Sequence, residues 1–208
     1  MEFSRHSSAR VALAVALVAV AEMTVAANLD SGSQPVIVVR VDNLGGVRAD
    51  HLQVAEDRAS AIFSRIGVRM RWVDQEETVR DGLTPTFTIV IVGGKKGSRL
   101  RSAFVDALGL ATPTTRRAHI FYDRVAALNA GTQRTIPSLL GDIIAHELGH
   151  LVVAPPGHSV DGIMRPELET KSWALRTFTG TQAREIQSRL ADGTNVDANR
   201  APLNRPEE

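Results

Sequence analysis

The chain has 208 residues, a formal net charge of +1, and a composition that is 43% hydrophobic and 23% charged. This length suits one compact domain with a targeting segment and excludes two large domains. The near-neutral charge lacks the basic surplus typical of nucleic acid binders, so we expect no nucleic acid partner. The chain has no cysteine, which excludes disulfides, thiolate metal sites and thiol catalysis.

Residues 1–27 are typical of a secretory signal peptide. Basic residues are followed by an apolar run from Val11 to Ala21 and then by small residues that end at Ala27. A membrane-spanning helix needs roughly 20 apolar residues, so this run is too short for an anchor. We therefore expect cleavage near Ala27, a secreted or periplasmic protein without a stable membrane anchor, and a mature domain at 28–192.

The first half of the domain predicts a strand, a helix and two further strands. The β-branched run at 36–41 and the alternating run at 68–73 predict strands, with a helix between them where apolar residues recur at helical spacing over 48–66. The apolar run at 86–92 predicts a strand in the centre of a sheet. This order indicates an α+β fold with a mixed sheet and a helix packed on it.

The second half adds two strands and two helices. ALGLA at 107–111 is a candidate edge strand, and AHIFYD at 118–123 predicts the strand that follows it. A wide apolar face over 136–153 predicts a mostly buried helix, and a last helix is expected over 181–190. The polar, proline-containing segment at 193–208 predicts a disordered tail.

The motif His-Glu-Leu-Gly-His at 146–150 lies on the buried helix and has the form H-E-x-x-H. Residues four apart share one helix face, so His146 and His150 can bind one ion at about 2.0–2.1 Å. Glu147 lies about 100° around the helix, where it can take a proton from an attacking water without ligating the metal. Burying these three groups without a partner would cost several kcal/mol, which favours a metal site over an ordinary helix.

A catalytic zinc site needs a third protein ligand and leaves its fourth position for water. The prolines at 155–156 end the helix, and Gly157 permits unusual dihedral angles, so the chain can double back and present His158 to the metal. Three carboxylates further along the chain are alternative third ligands: Asp161, Glu167 and Glu169.

The segment HELGHLVVAPPGHSVDGIM at 146–164 resembles the signature of the metzincin zinc metallopeptidases. The resemblance implies that His146, His150 and His158 bind Zn²⁺ and that Glu147 is the general base. Met164 in GIM would be the residue of the methionine turn beneath the metal.

The match to this signature is partial. Metzincins usually have glycine three residues after the second histidine and the third histidine three residues later, whereas this chain has Val153 and Pro156 at those positions. Its third histidine, His158, comes two residues late. The spacing H-E-x-x-H-x7-H followed by S-x-x-G-I-M is similar to that of a group of predicted bacterial metzincin-like proteins.

The resemblance also carries expectations about architecture and substrate. It implies a mixed, mostly parallel sheet with an antiparallel edge strand, and an active-site helix followed by a methionine turn and a C-terminal helix. The edge strand at 107–111 would bind an extended peptide by adding it to the sheet. The prediction is a monomeric zinc-dependent endopeptidase that acts on peptide or protein substrates.

Two other functions stay open. One is a non-catalytic zinc-binding or interaction domain, and the other is a zinc hydrolase of a non-peptide amide. Glu147 favours an enzyme, because a structural zinc site has no use for a base and usually closes its fourth position. For His119 and Tyr122 we expect packing roles, with an oxyanion-donor role as the alternative for Tyr122.

Overall fold

The computed structural model describes residues 34–73, 77, 84–94, 107–129, 132, 134–153, 155, 157–167 and 174–191. The predicted signal peptide, the predicted tail and Glu169 lie outside these residues, so the expectations about them stay predictions. Among the described helices, none combines the length and the hydropathy of a membrane-spanning segment.

The described chain forms one five-stranded sheet. Its strands are β1 (Val36–Asn43), β2 (Arg69–Val73), β3 (Thr86–Val92), β4 (Gly109–Thr112) and β5 (Arg117–Phe121). They lie in the order β2-β1-β3-β5-β4, and β4 alone runs antiparallel to its neighbour. This confirms the predicted mixed, mostly parallel sheet, with the most apolar strand, β3, in its centre and an antiparallel strand at one edge.

Four α-helices accompany the sheet in the described residues: α1 (Ala49–Ser64), α2 (Tyr122–Asn129), α3 (Ile136–Val152) and α4 (Gly180–Ala191). The main core joins α1 and α3 to one face of the sheet. A smaller apolar cluster consists of Val90, Val92 and Phe121. The helices α1, α3 and α4 confirm the sequence prediction within a few residues.

The strand predicted at 118–123 was too long. β5 ends at Phe121, whose partner Val92 is the last residue of β3, so no neighbouring strand remains for the next residues to pair with. The chain continues as α2 from Tyr122, and Val125 is buried beneath that helix. Tyr122 therefore starts a helix and packs against the main core, which confirms the packing role expected for it.

A buried ion cluster holds α3 against α1. Asp142 is fully buried and accepts hydrogen bonds from Arg58 of α1 at 2.5 and 3.2 Å and from Arg134 at 2.5 Å. The two helices approach closely at Gly141, where a Cβ atom would lie 2.7 Å from the Ala55 carbonyl oxygen. These contacts set the position of α3 one turn before the H-E-x-x-H motif.

Candidate metal centre

Three imidazole rings converge beside the C-terminal half of α3. The Nε2 atom of His150 lies 3.1 Å from Nε2 of His146 and 3.0 Å from Nε2 of His158. The helix places His146 and His150 on one face because they are four residues apart. The three side chains form the only cluster of possible ligand atoms found in the described residues.

The three imidazole Nε2 atoms cannot all be satisfied by hydrogen bonds to one another. The backbone carbonyl of Ile163 accepts a hydrogen bond from Nδ1 of His146 at 2.8 Å, so Nε2 of a neutral His146 carries a lone pair directed at the cluster. Nε2 of His150 has one in-plane site, which can donate or accept but cannot serve both neighbours. A cation at the centre would satisfy all three nitrogens at once.

The spacing of the nitrogens suits zinc. Tetrahedral zinc with bonds of about 2.0–2.1 Å separates its ligand nitrogens by roughly 3.3 Å, close to the two distances of 3.0 and 3.1 Å seen here. Burial lowers the pKa of His146, and burial together with the neighbouring imidazoles lowers the pKa of His150 to about 4. Neutral imidazoles are the form that binds a metal, so the donor set fits Zn²⁺.

The loop after α3 brings His158 to the cluster. Gly157 has a φ of 70°, in the left-handed region that glycine favours, and the chain reverses there. The amide of Ser159 then donates to the Met164 carbonyl at 3.0 Å and closes the loop. Two of the alternative ligands, Asp161 and Glu167, are among the residues that the structure describes, and both lie outside the cluster. The sequence alone had kept them as possible third ligands.

Glu147 lies in the same cleft as the histidines but is much less accessible. It is 6% exposed, and burial raises the pKa of its carboxyl group to about 8, while the Ala111 backbone amide favours the ionised form. The β4 strand passes so close that a Cβ atom on Gly109 would overlap the Glu147 carboxylate. A nearby dication would lower this pKa, because positive charge stabilises a carboxylate.

Met164 packs against α3 at Gly149, the residue before His150. It is fully buried, and a Cβ atom on Gly149 would overlap its sulfur atom. The neighbouring Ile163 supplies the carbonyl that orients His146. The segment that carries Ile163 and Met164 therefore packs against α3 and fixes one of the three rings.

A cleft of about 710 Å³ opens in front of the cluster, between β4 and the segment that follows α3. The Phe121 amide donates to the Leu108 carbonyl at 2.9 Å, which makes these two residues a hydrogen-bonded pair of the antiparallel ladder. Bonded and non-bonded pairs alternate along such a ladder, so Gly109 and Ala111 direct their backbone N–H and C=O groups away from β5. Both residues line the cleft.

Comparison with known proteins supports the fold. Scans of the sequence against models of protein families and against curated proteins find no match. A solved structure with a similar fold is the crystal structure of a zinc-dependent peptidase from Methanocorpusculum labreanum (strain Z), with a TM-score of 0.50 and 14% sequence identity. The similarity covers 72% of this chain and 99% of that chain. At this identity it shows a shared fold.

The structure brings all of the predicted site residues into one region. His146, Glu147, His150 and His158 line the cleft, and Met164 is buried against Gly149 of the same helix. The sequence analysis missed Ile163, whose contribution is a backbone carbonyl with no sequence signal. It also missed Gly109, although a glycine in a predicted edge strand is a recognised sign of close backbone approach.

Proposed function

We propose that the protein is a zinc-dependent endopeptidase of the metzincin type. The observation that carries this proposal is the convergence of three histidine Nε2 atoms in an open cleft that also contains a buried glutamate. The solved zinc-dependent peptidase of similar fold is consistent with it.

In this proposal His146, His150 and His158 hold Zn²⁺ and Glu147 is the general base. When bound, zinc acts as a Lewis acid that polarises the scissile carbonyl and lowers the pKa of water. Glu147 takes the proton of the attacking water and passes it to the leaving amine. The Ala111 amide helps to keep the carboxylate ionised, and the Ile163 carbonyl holds His146 in the tautomer that can bind the metal.

The open edge of β4 favours a peptide over a small non-peptide amide. Gly109 presents its backbone N–H and C=O and Ala111 its C=O along the cleft, and an extended peptide carries matching groups at the same period. We infer that the substrate lies along β4 as an additional strand, with its scissile bond between the histidine cluster and Glu147.

The accessibility of the cluster favours an enzyme over a structural zinc module. His158 is exposed, and the cleft leaves room on the side of the cluster that faces β4. A structural zinc ion is normally enclosed by four protein ligands, whereas a catalytic one keeps a position open for water and substrate.

The proposal includes export and action as a monomer. It assigns residues 1–27 to a cleaved signal peptide, as the sequence pattern predicts. N-terminal sequencing of protein recovered from outside the cytoplasm should begin near Asn28, and intact Met1 in that fraction would contradict this part of the proposal.

Metal analysis and peptide hydrolysis together test the function. Wild type should bind one zinc and cleave an unstructured protein substrate, whereas Glu147→Gln should keep the zinc and lose activity by about 10²–10⁴-fold. His158→Ala should lose zinc affinity. Zinc binding by wild type without hydrolysis of any peptide or protein would indicate a binding module, and full zinc occupancy in His158→Ala would require another third ligand.

A further inference from the structure

Gln182 is a buried polar side chain in the first turn of α4, separate from the histidine cluster. It is 7% exposed, and its amide nitrogen donates to the Gly157 carbonyl at 3.2 Å and to the Ser159 hydroxyl oxygen at 3.2 Å. These two partners are the residues immediately before and after His158. A single side chain thus binds both flanks of the exposed histidine of the cluster.

The other end of the Gln182 amide is also held. Its Oε1 atom accepts a hydrogen bond from the Thr179 amide at 3.1 Å, and the Gln182 amide donates in return to the Thr179 hydroxyl at 3.4 Å. This reciprocal pair is a capping box at the start of α4. Because Oε1 faces Thr179, the amide nitrogen is committed to the His158 loop.

His158 depends on such contacts more than the other two histidines do. His146 and His150 have their positions fixed by the backbone of α3, whereas His158 lies on a loop that follows a glycine with left-handed φ. Hydrogen-bonded groups behind a metal ligand commonly change metal affinity by 10–100-fold when they are removed.

We propose that Gln182 is a positioning residue for the third metal ligand. Its amide fixes the distance between Gly157 and Ser159, and this keeps the His158 imidazole close to the other two rings. α4 thereby becomes part of the metal centre without contributing a ligand. This inference rests on the proposed zinc site.

Two variants separate this role from the capping of α4. Gln182→Glu keeps an oxygen for the Thr179 amide and preserves the capping box, but it removes both donors to the His158 loop. Gln187→Ala is a matched control, because Gln187 lies on the same helix and donates to the Ile66 carbonyl at 2.7 Å, at the junction of α1 and β2. Removing either glutamine deletes a hydrogen bond from α4, but only Gln182 contacts the loop.

The experiment measures zinc affinity by competition with a chelator, using full-length mature protein prepared without metal. We expect Gln182→Glu and Gln182→Ala to bind zinc about 10–100-fold more weakly than wild type, and Gln187→Ala to bind it as wild type does. The visible absorption of Co²⁺-loaded protein should change in Gln182→Glu and stay constant in Gln187→Ala. Thermal melting of the metal-free Gln182→Glu protein should stay cooperative, which shows that it folds, with a lower midpoint than wild type because two hydrogen bonds of a buried side chain are lost.

The outcomes distinguish this inference from the proposed site. Wild-type affinity and an unchanged cobalt spectrum in Gln182→Glu would overturn the role of Gln182, as would an equal loss in Gln187→Ala. Absence of zinc binding by wild type, or equal affinity in His158→Ala, would overturn the site itself. If Gln182→Ala fails to fold, Gln182→Glu and its control Gln187→Ala carry the test.

Discussion

At Gly109 the edge strand crosses directly over the Glu147 carboxyl group. Any side chain at this position would displace the carboxylate, since even a Cβ atom would overlap it. Glycine is therefore required here for close approach rather than for an unusual backbone angle. The same approach brings the Ala111 amide to the carboxylate, so the strand that is expected to bind substrate also positions the expected base.

Replacement of Gly109 by alanine should lower peptidase activity while leaving zinc bound. A misplacement of about 1 Å can reduce catalysis by about 10²-fold, and the added methyl group pushes Glu147 away from its position. Activity assays and zinc analysis of Gly109→Ala would measure both effects.

The matched control is Gly180→Ala. A Cβ atom there meets nothing nearer than Nη1 of Arg184 at 3.6 Å, and the residue lies at the start of α4. This variant should keep wild-type activity. Full activity in Gly109→Ala would show that the carboxylate can move without loss of function and would weaken the role proposed for Glu147.

The residues of the centre differ in how far the sequence could place them. His146, Glu147 and His150 could be placed relative to one another, because the period of a helix determines which side chains share a face. His158 was predicted as the third ligand, but Asp161 stayed an alternative, since the path of a loop depends on tertiary contacts. Gln182 could not be identified, because its role depends on a hydrogen bond across 25 residues of chain.

Among the elements, α3 carries the motif and is anchored by the buried cluster of Asp142 with two arginines. The side chains of Asp142 and Arg134 are almost completely buried, and that of Arg58 is mostly buried. One carboxylate thus serves two guanidinium groups at the contact between α3 and α1. Removal of one partner from a buried ion cluster is strongly destabilising.

Asp142→Asn should reduce the free energy of unfolding by about 3–5 kcal/mol, because both guanidinium groups lose this carboxylate. Urea denaturation of the metal-free protein would measure this loss. Asp50→Asn is the control, because Asp50 pairs with Arg48 at the exposed start of α1 and should give no measurable change. Equal stability of Asp142→Asn and wild type would show that the cluster does not anchor α3.

The element that the sequence analysis missed is α2. The end of β5 is set by the end of its neighbour β3, which local alternation of apolar residues cannot reveal. An eight-residue helix with one fully buried apolar residue also gives a weak periodic signal. The longer helices and the apolar strands were predictable because each buries a continuous stripe or face.

At the scale of the whole molecule, the protonation of the cleft residues makes the stability of the fold depend on pH and on bound metal. Burial lowers the pKa of His146 and, with its imidazole neighbours, lowers that of His150 to about 4, whereas burial raises the pKa of Glu147 to about 8. The ordinary values are 6.5 for histidine and 4.5 for glutamate. Without metal, the folded state thus disfavours charge on all three groups.

The stability of the metal-free protein should fall on both sides of a mildly acidic optimum. Below pH 6.5 the unfolded histidines bind more protons than His146 and His150 do, so acid favours unfolding. Between pH 4.5 and 8 the folded Glu147 binds the extra proton, so rising pH favours unfolding. From pH 6.5 to 8 only the glutamate effect operates, and stability should decline.

Urea denaturation from pH 5 to 8, with and without zinc, would measure this behaviour. Zinc should remove the decline between pH 6.5 and 8, because its charge favours the Glu147 carboxylate and its binding stabilises the folded state. Metal-free Glu147→Gln is the control and should show no such decline. A flat profile for the metal-free wild type over this range would contradict the assigned pKa of Glu147.

The amino-acid sequence by itself determined the α+β class, the elements with long apolar patterns, and the pairing of His146 with His150, since these depend on the local periods of helix and strand. Only the tertiary structure decided which residue completes the cluster, which backbone groups of β4 face the cleft, and how Gln182 holds the loop of His158. These features depend on contacts between segments that are distant along the chain, and such contacts leave no period in the sequence.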